Sequence, residues 1–219
     1  MNRYILLILI PCFIIINQSC TKQSFEVGDI FFQDLDCGPP CEAIEAVTSG
    51  YRGAQLSHCA IITHVGSSEY DTILTEAIGA TVTDITLHDF LNRSNKVFVG
   101  RLKEEYQYMI PDAITHIQTN LNGKPYDYIF DLTDDTYYCS EIIYEGLKTA
   151  DDTQELFALN PMTFNEPGTE SPFIHWVDYY QELGHPIPEG ELGLNPGGMS
   201  QSPAITIVYV YEKPTGMQE

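Results

Sequence analysis

The segment Tyr138-Cys139-Ser140-Glu141-Ile142-Ile143 places a cysteine between a turn-rich acidic stretch and an amphipathic run. Ile142, Ile143 and Leu147 recur at helical spacing, which predicts a helix that begins at Cys139. The amino end of a helix carries a partial positive charge, and this charge lowers the pKa of a nearby thiol. Cys139 is therefore the candidate nucleophile of the chain.

A cysteine nucleophile needs a general base, and six histidines compete for that role. His58 opens the β-like run Ser57-His58-Cys59-Ala60-Ile61-Ile62, and a strand holds an imidazole ring rigidly. His58 is thus the predicted base. The other histidines are expected to be solvated or structural: His64, His88, His116, His175 and His185.

Two β-like runs, residues 57–63 and 72–78, are joined by a short polar connection and predict a β-hairpin. If the two strands pair symmetrically about Ser67, His58 lies opposite Glu76 on one face of the sheet. A carboxylate in that position would orient the imidazole and favour its charged form. Glu76 is therefore the candidate third member of the catalytic set.

The chain contains four short motifs: Gly28-Asp29-Ile30-Phe31-Phe32, the His58 run, Gly123-Lys124-Pro125-Tyr126-Asp127-Tyr128 and the Cys139 segment. Their order and spacing resemble those of the NlpC-type papain-fold hydrolases of bacterial cell envelopes. In the commoner members the cysteine precedes the histidine, whereas here the histidine comes first. This order is similar to that of the circularly permuted, YiiX-like branch, a relative of the lecithin:retinol acyltransferase group.

The resemblance implies an α+β, circularly permuted papain-like fold in which a central antiparallel sheet or barrel packs against helices. It implies Cys139 as nucleophile, His58 as base and Glu76 as the residue that orients the base. It also implies that Tyr126 lies near the nucleophile and that the backbone N–H of Cys139 helps to bind the oxyanion. Where most relatives have glycine after the histidine pair, this chain has Cys59-Ala60, which is expected to narrow the site.

The amino terminus is typical of an export signal, because a charged start precedes an apolar run shorter than a membrane span. Ser19 before Cys20 resembles a bacterial lipoprotein cleavage site, and simple secretion is the alternative. We expect residues 1–19 to be removed as a signal peptide and residues 20–219 to form a single permuted papain-like hydrolase domain. The expected product is an exported lipoprotein, anchored through Cys20 and facing the periplasm or the cell exterior.

The charge balance limits the partners. The chain has 31 acidic and 10 basic residues among 219, a formal net charge of −21. Clusters of Lys and Arg bind phosphate backbones, so this balance excludes nucleic acid as a partner. For the same reason, contact with a membrane is expected only through a lipid on Cys20.

The remaining cysteines carry no clear cofactor signal. Cys37 and Cys41 are separated by Gly-Pro-Pro and form either a small disulfide or two free thiols. A zinc site that uses this pair and a histidine is a weaker alternative, because no second paired-ligand motif exists. Cys59 is expected to be a small buried hydrophobe. The sequence predicts no metal centre and no cofactor.

The function that combines these features is an exported cysteine amidase or peptidase. It would cleave an amide or N-acyl bond of a cell-envelope substrate through a Cys-His-Glu triad and an acyl-enzyme. One alternative is a lipid acyl hydrolase or acyltransferase, and another is a non-catalytic lipoprotein that binds a ligand in the same groove. The aromatic residues that could line an acyl pocket, or simply belong to the core, are Phe157, Phe164, Phe173 and Trp176.

Overall fold

The structure is a computed structural model that describes residues 24–219. Strands and helices alternate irregularly along this part of the chain. The export signal predicted at residues 1–19 and the anchor predicted at Cys20 lie outside the described residues. The strands are β1 (Ile30–Gln33), β2 (His58–His64), β3 (Ile73–Ile78), β4 (Thr81–Thr86), β5 (Val97–Leu102), β6 (Asn160–Pro161), β7 (Leu192–Gly193) and β8 (Ile205–Glu212). The helices are α1 (Pro39–Val47), α2 (Leu87–Arg93), α3 (Ile110–His116), α4 (Cys139–Ala150), α5 (Ile174–Leu183) and α6 (Pro196–Ser200).

Six of the strands form one antiparallel sheet in the order β4-β3-β2-β1-β5-β8. The sheet is open and not closed into a barrel, because β4 and β8 are its edges. The strands β6 and β7 pair separately as a short two-stranded sheet. The α+β class and the central antiparallel sheet predicted from the sequence are therefore confirmed.

Both faces of the sheet are covered, because the central strand β1 is apolar on its two sides. Side chains alternate along a strand, so Ile30 and Phe32 enter the larger core cluster and Phe31 enters the opposite one. Ile142 of α4 belongs to the larger cluster, and Phe90 of α2 belongs to the opposite one. The helices α4 and α2 consequently pack on the two different faces of the same sheet.

The strands β2 and β3 form the predicted hairpin, but its predicted register is wrong. The observed pairs are Ile61 with Thr75 and Ile62 with Leu74, so the true register is shifted by two residues from symmetry about Ser67. A bulge between Ile62 and His64 contributes to the asymmetry of the connection. Because side chains alternate with a period of two, a shift of two residues leaves every side chain on its predicted face.

The helix α5 and the segment that precedes it pack against α1. Ala43 of α1 forms a third core cluster with Phe164 and with Trp176 and Tyr180 of α5. Cys37 and Cys41 form a disulfide at the start of α1, so the free-thiol and zinc alternatives for this pair are wrong. Within residues 24–219, no helix is long and apolar enough to cross a membrane.

Candidate active site

Cys139 is the first residue of α4, as the sequence predicts, and Tyr138 is the residue that caps the helix. The backbone N–H of Tyr138 donates a hydrogen bond of 3.2 Å to Oε2 of Glu141, which ties the capping residue to the first turn. The first N–H groups of a helix have no carbonyl partner within that helix. The thiol of Cys139 therefore lies where the helix dipole favours its anion. The residue as a whole is only 7% exposed.

His58 and Glu76 are in direct contact. Nε2 of His58 lies 2.7 Å from Oε2 of Glu76, and the two residues are 4% and 1% exposed. The contact is diagonal, because the observed register sets His58 closer to Ile78 than to Glu76 along β3. With Nε2 held by the carboxylate, the other ring nitrogen remains for the thiol of Cys139.

The thiol of Cys139 interacts with two groups on β2. Hydrogen bonds from the Cys59 thiol and from the His58 ring, together with the positive charge of His58, hold the pKa of Cys139 well below its usual value despite burial. Burial by itself would lower the pKa of His58, but the hydrogen bonds and negative charges of Cys139 and Glu76 raise it to about 9. The site is thus built for a thiolate beside an imidazolium at neutral pH.

Cys59 is buried as expected, but it is more than a small hydrophobe. Burial and the neighbouring negative charges of Cys139 and Glu76 raise the pKa of its thiol well above the usual value. A neutral Cys59 keeps its proton and can donate it in a hydrogen bond to the thiolate of Cys139. The only sign of this role in the sequence is that Cys59 directly follows His58. Because side chains alternate along a strand, adjacency by itself would place the two side chains on opposite faces of the sheet.

Arg93, at the end of α2, is a residue of the site that the sequence analysis missed. Its Nη2 donates a hydrogen bond of 2.5 Å to Oε2 of Glu76, the same oxygen that contacts His58. Burial raises the pKa of Glu76, but the contacts with His58 and Arg93 outweigh burial and leave it lowered. The sequence signal for α2 is Thr86, whose Oγ1 accepts a hydrogen bond from the Asp89 N–H at 3.1 Å.

Tyr126 lies beside the nucleophile, as the family resemblance implies. It lines the same cavity as Cys139 and His58, and its ring packs 5.1 Å from that of Tyr128. Burial, with the negative charge of Cys139 as the next cause, raises the pKa of Tyr126 well above its usual value. Its hydroxyl therefore keeps its proton at neutral pH and can donate a hydrogen bond.

A cavity of about 990 Å³ opens onto Cys139. This volume is at the upper end of the range for small-molecule sites, about 300–1,000 Å³. Three of the four aromatic residues singled out in the sequence, Phe157, Phe164 and Trp176, line this cavity. The fourth, Phe173, does not line it and packs against the third core cluster. Aromatic and aliphatic side chains that line it include Ile44, Val47, Phe157, Met162, Phe164, Trp176, Leu194 and Met199.

Among residues 24–219, no group of three or more His, Cys, Asp or Glu side chains is arranged to hold a metal ion.

A family model described as permuted papain-like amidase enzyme, YaeF/YiiX, C92 family, matches residues 24–209 of the chain. The chain belongs to the permuted papain-like amidases. As a member of this family it is a papain-like cysteine hydrolase, and its fold is the permuted papain-like fold that the order of His58 and Cys139 predicts.

A solved structure supports the same fold for this permuted amidase. The chain is similar to the crystal structure described as metalloprotein YiiX from Escherichia coli O157:H7, with 22% sequence identity and a TM-score of 0.66. The alignment covers 86% of this chain and 98% of that one. At this identity the likeness concerns the fold alone. No curated protein matches the chain significantly.

The structure thus brings together Cys139, His58, Glu76 and Tyr126, all four residues that the sequence analysis proposed for the site. It adds Arg93, which had no predicted role there, and a hydrogen-bonding role for Cys59, which was expected only to be buried and to narrow the site. The catalytic role of each residue in this amidase stays a prediction.

Proposed function

We propose that the protein is an exported cysteine amidase that cleaves an amide or N-acyl bond of a cell-envelope substrate through Cys139, His58 and Glu76. The observation that carries the proposal is the buried contact of 2.7 Å between His58 Nε2 and Glu76 Oε2, in a site where the Cys139 thiol acts on the same imidazole and raises its pKa. This is the arrangement of nucleophile, base and orienting carboxylate that acyl transfer needs.

In the first half-reaction the thiolate of Cys139 attacks the carbonyl carbon of the substrate. The backbone N–H of Cys139 and the hydroxyl of Tyr126 are the donors assigned to the developing oxyanion. His58 then gives its proton to the leaving nitrogen, the carbon–nitrogen bond breaks, and the amine departs. The acyl group remains on Cys139 as a thioester.

In the second half-reaction His58 takes a proton from water, and the resulting hydroxide attacks the thioester. The tetrahedral intermediate collapses to a carboxylic acid and the thiolate of Cys139, and His58 keeps the proton. Because the pKa of His58 is raised to about 9, turnover is expected to fall as the pH rises above that value and the general acid is lost.

Export is proposed on two grounds. The amino-terminal sequence is typical of a signal followed by a lipoprotein cysteine at Cys20. The disulfide between Cys37 and Cys41 suits an oxidising compartment outside the cytoplasm, where such bonds persist. A substrate in the cell envelope follows from this location.

The apolar cavity favours a second candidate, hydrolysis or transfer of a lipid-like acyl group. Apolar and aromatic walls of this kind bind an alkyl chain by removing it from water. The two candidates share the acyl-enzyme on Cys139 and differ in the leaving group and in the length of the acyl chain. The third alternative, a ligand-binding lipoprotein without turnover, shares the cavity but needs no thiolate.

The test begins with iodoacetamide, which labels thiolates without requiring the natural substrate. Mass spectrometry of the labelled protein is expected to find the modification on Cys139 and not on Cys59, whose pKa is raised. A panel of N-acyl amides and acyl esters of increasing chain length then reports the reaction. Cys139→Ala and His58→Ala are each expected to lower turnover by about 10⁴-fold or more.

The outcomes separate the candidates. Preference for amides supports the amidase, and preference for long-chain esters supports lipid acyl hydrolysis. Full turnover by Cys139→Ala would refute both. An unreactive Cys139 with unchanged ligand binding would instead support the binding lipoprotein. Detection of the processed amino terminus at Cys20 in membrane fractions tests the export proposal separately.

A further inference from the structure

The helix α2 reaches the candidate catalytic residues from the face of the sheet opposite α4. It buries Leu87, Phe90 and Leu91 in the second core cluster and ends at Arg93. The Phe90 ring lies 6.0 Å from the His58 ring at an angle of 29°, and the Arg93 guanidinium carbon lies 5.1 Å from the same Phe90 ring. Arg93 and Phe90 together therefore contact both members of the His58 and Glu76 pair.

The contact of Arg93 with Glu76 differs in geometry from the two-point ion pair that a purely structural arginine makes with a carboxylate. Arg101 provides the comparison, because its Nε and Nη2 bind the two carboxylate oxygens of Asp29 at 2.6 and 2.8 Å. Arg93 donates through Nη2 alone, to the oxygen shared with His58, and its Nε has no hydrogen-bond partner among the described residues. A bidentate arginine–carboxylate pair, as in Arg101 with Asp29, is the stronger and more geometrically specific contact. Arg93 instead contacts only the one Glu76 oxygen that also contacts His58.

The charges of the site balance only when Arg93 is counted. The groups that act on His58 and Glu76 are the Cys139 thiolate, the Arg93 guanidinium and the neutral Cys59 thiol. The thiolate and the Glu76 carboxylate carry two negative charges, and the imidazolium and Arg93 carry two positive ones. Without Arg93 the buried cluster would have a net negative charge in a chain whose formal charge is already −21. A buried net charge is costly and is relieved by taking up a proton.

We propose that Arg93 is a positioning residue that holds the Glu76 carboxylate against Nε2 of His58 and balances the charge of the thiolate–imidazolium pair. Arg93 does not touch the substrate, and it acts through Glu76. The inference rests on the proposed function, because it concerns the same site. Removal of the guanidinium makes the cluster bind a proton more tightly, so that the thiolate of Cys139 forms only at higher pH.

The experiment measures the rate of alkylation of Cys139 by iodoacetamide against pH, in the full chain and without substrate. Arg93→Met keeps an apolar stem for packing on Phe90 and removes the charge. It is expected to move the acid limb of the profile upward by about one pH unit, or about tenfold in rate at a fixed pH on that limb. Arg93→Lys retains the charge and is expected to leave the limb close to that of the unaltered protein.

Arg101→Met is the matched control, because the side chains of Arg101 and Arg93 are 19% and 25% exposed and both pair with a buried carboxylate. It is expected to lower the melting temperature without moving the limb. An unmoved limb in Arg93→Met, an equal shift in Arg101→Met, or failure of both Arg93 variants to fold would overturn the inference. The unaltered protein distinguishes the two proposals, because a Cys139 that is not selectively alkylated refutes the proposed function instead.

Discussion

Two carboxyl groups near Cys139 are equally buried, but their pKa values are shifted in opposite directions. Glu76 on β3 and Glu141 on α4 are each 1% exposed. Burial raises the pKa of Glu76, but hydrogen bonds and positive charges from His58 and Arg93 leave it lowered. Burial also raises the pKa of Glu141, to about 9, because only a backbone N–H opposes it and acidic neighbours reinforce it. Contacts with cationic groups, and not the degree of burial, thus decide which of the two carboxyl groups is ionised.

The largest expected difference between the two carboxyl groups is in activity. Glu76→Gln removes the negative charge that orients and stabilises the imidazolium, so turnover is expected to fall by about 10²–10⁴-fold. Glu141→Gln is the matched control, because it makes the same change at an equally buried position without touching His58. Turnover of the best substrate in the panel checks both variants. Equal losses in the two variants would show that the partners of Glu76 are irrelevant to catalysis.

The same comparison extends to the two thiols, of which only Cys139 is expected to ionise at neutral pH. The hydrogen bond from Cys59 is the largest cause of the lowered pKa of Cys139. Cys59→Ala removes this donor, and the acid limb of Cys139 alkylation is expected to move upward by about one pH unit. Cys59→Ser keeps a hydroxyl donor and serves as the control, with a smaller expected shift. An unmoved limb in Cys59→Ala would mean that His58 alone stabilises the thiolate.

The smallest expected effect concerns stability and comes from Glu141. Its folded pKa of about 9 lies above the unfolded value near 4.5, so its contribution to stability is complete below pH 4.5 and is lost as the pH rises towards 9. Glu141→Gln removes this titration and retains an oxygen that can accept the Tyr138 N–H. Its melting temperature is expected to exceed that of the unaltered protein increasingly across this window, by about 2–4 °C for each kcal/mol.

Melting curves at pH 5, 7 and 9 check this prediction. The control variant is Glu145→Gln, because Glu145 is also on α4 and its side chain is more exposed than that of Glu141. It controls for the loss of one negative charge from a strongly acidic chain. A difference between Glu141→Gln and the unaltered protein that does not grow with pH would show that Glu141 is ionised in the folded state.

Much of the site was predictable because its elements carry strong local signals. The apolar periodicity after Cys139 predicts α4, and the observed helix begins at that residue. The hairpin carrying His58 and Glu76 was also predicted, and their contact survived a register error of two residues because the side-chain period of a strand is two. An error of one residue would have sent Glu76 to the other face.

The strand β4 and the helix α2 were not predicted, and Arg93 was missed with them. Each is short, with six residues in β4 and seven in α2, so neither offers enough repeats for a clear periodicity. The capping contact between Thr86 and Asp89 was a local sign of α2. Nothing near Arg93 in the sequence, however, indicates that it reaches Glu76.

The sequence by itself determined the α+β class and the order of histidine, glutamate and cysteine along the chain, because periodicity, turns and motifs are local properties. Only the tertiary structure decided that the central antiparallel sheet is open and not a barrel. The tertiary structure also decided which charged and hydrogen-bonding groups act on one another in the site. The low pKa of Cys139, the neutral state of Cys59 and the contact of Arg93 with Glu76 depend on distances between residues far apart in the chain. Electrostatic interactions follow those distances and the local burial, and neither quantity can be obtained from the spacing of residues in the sequence.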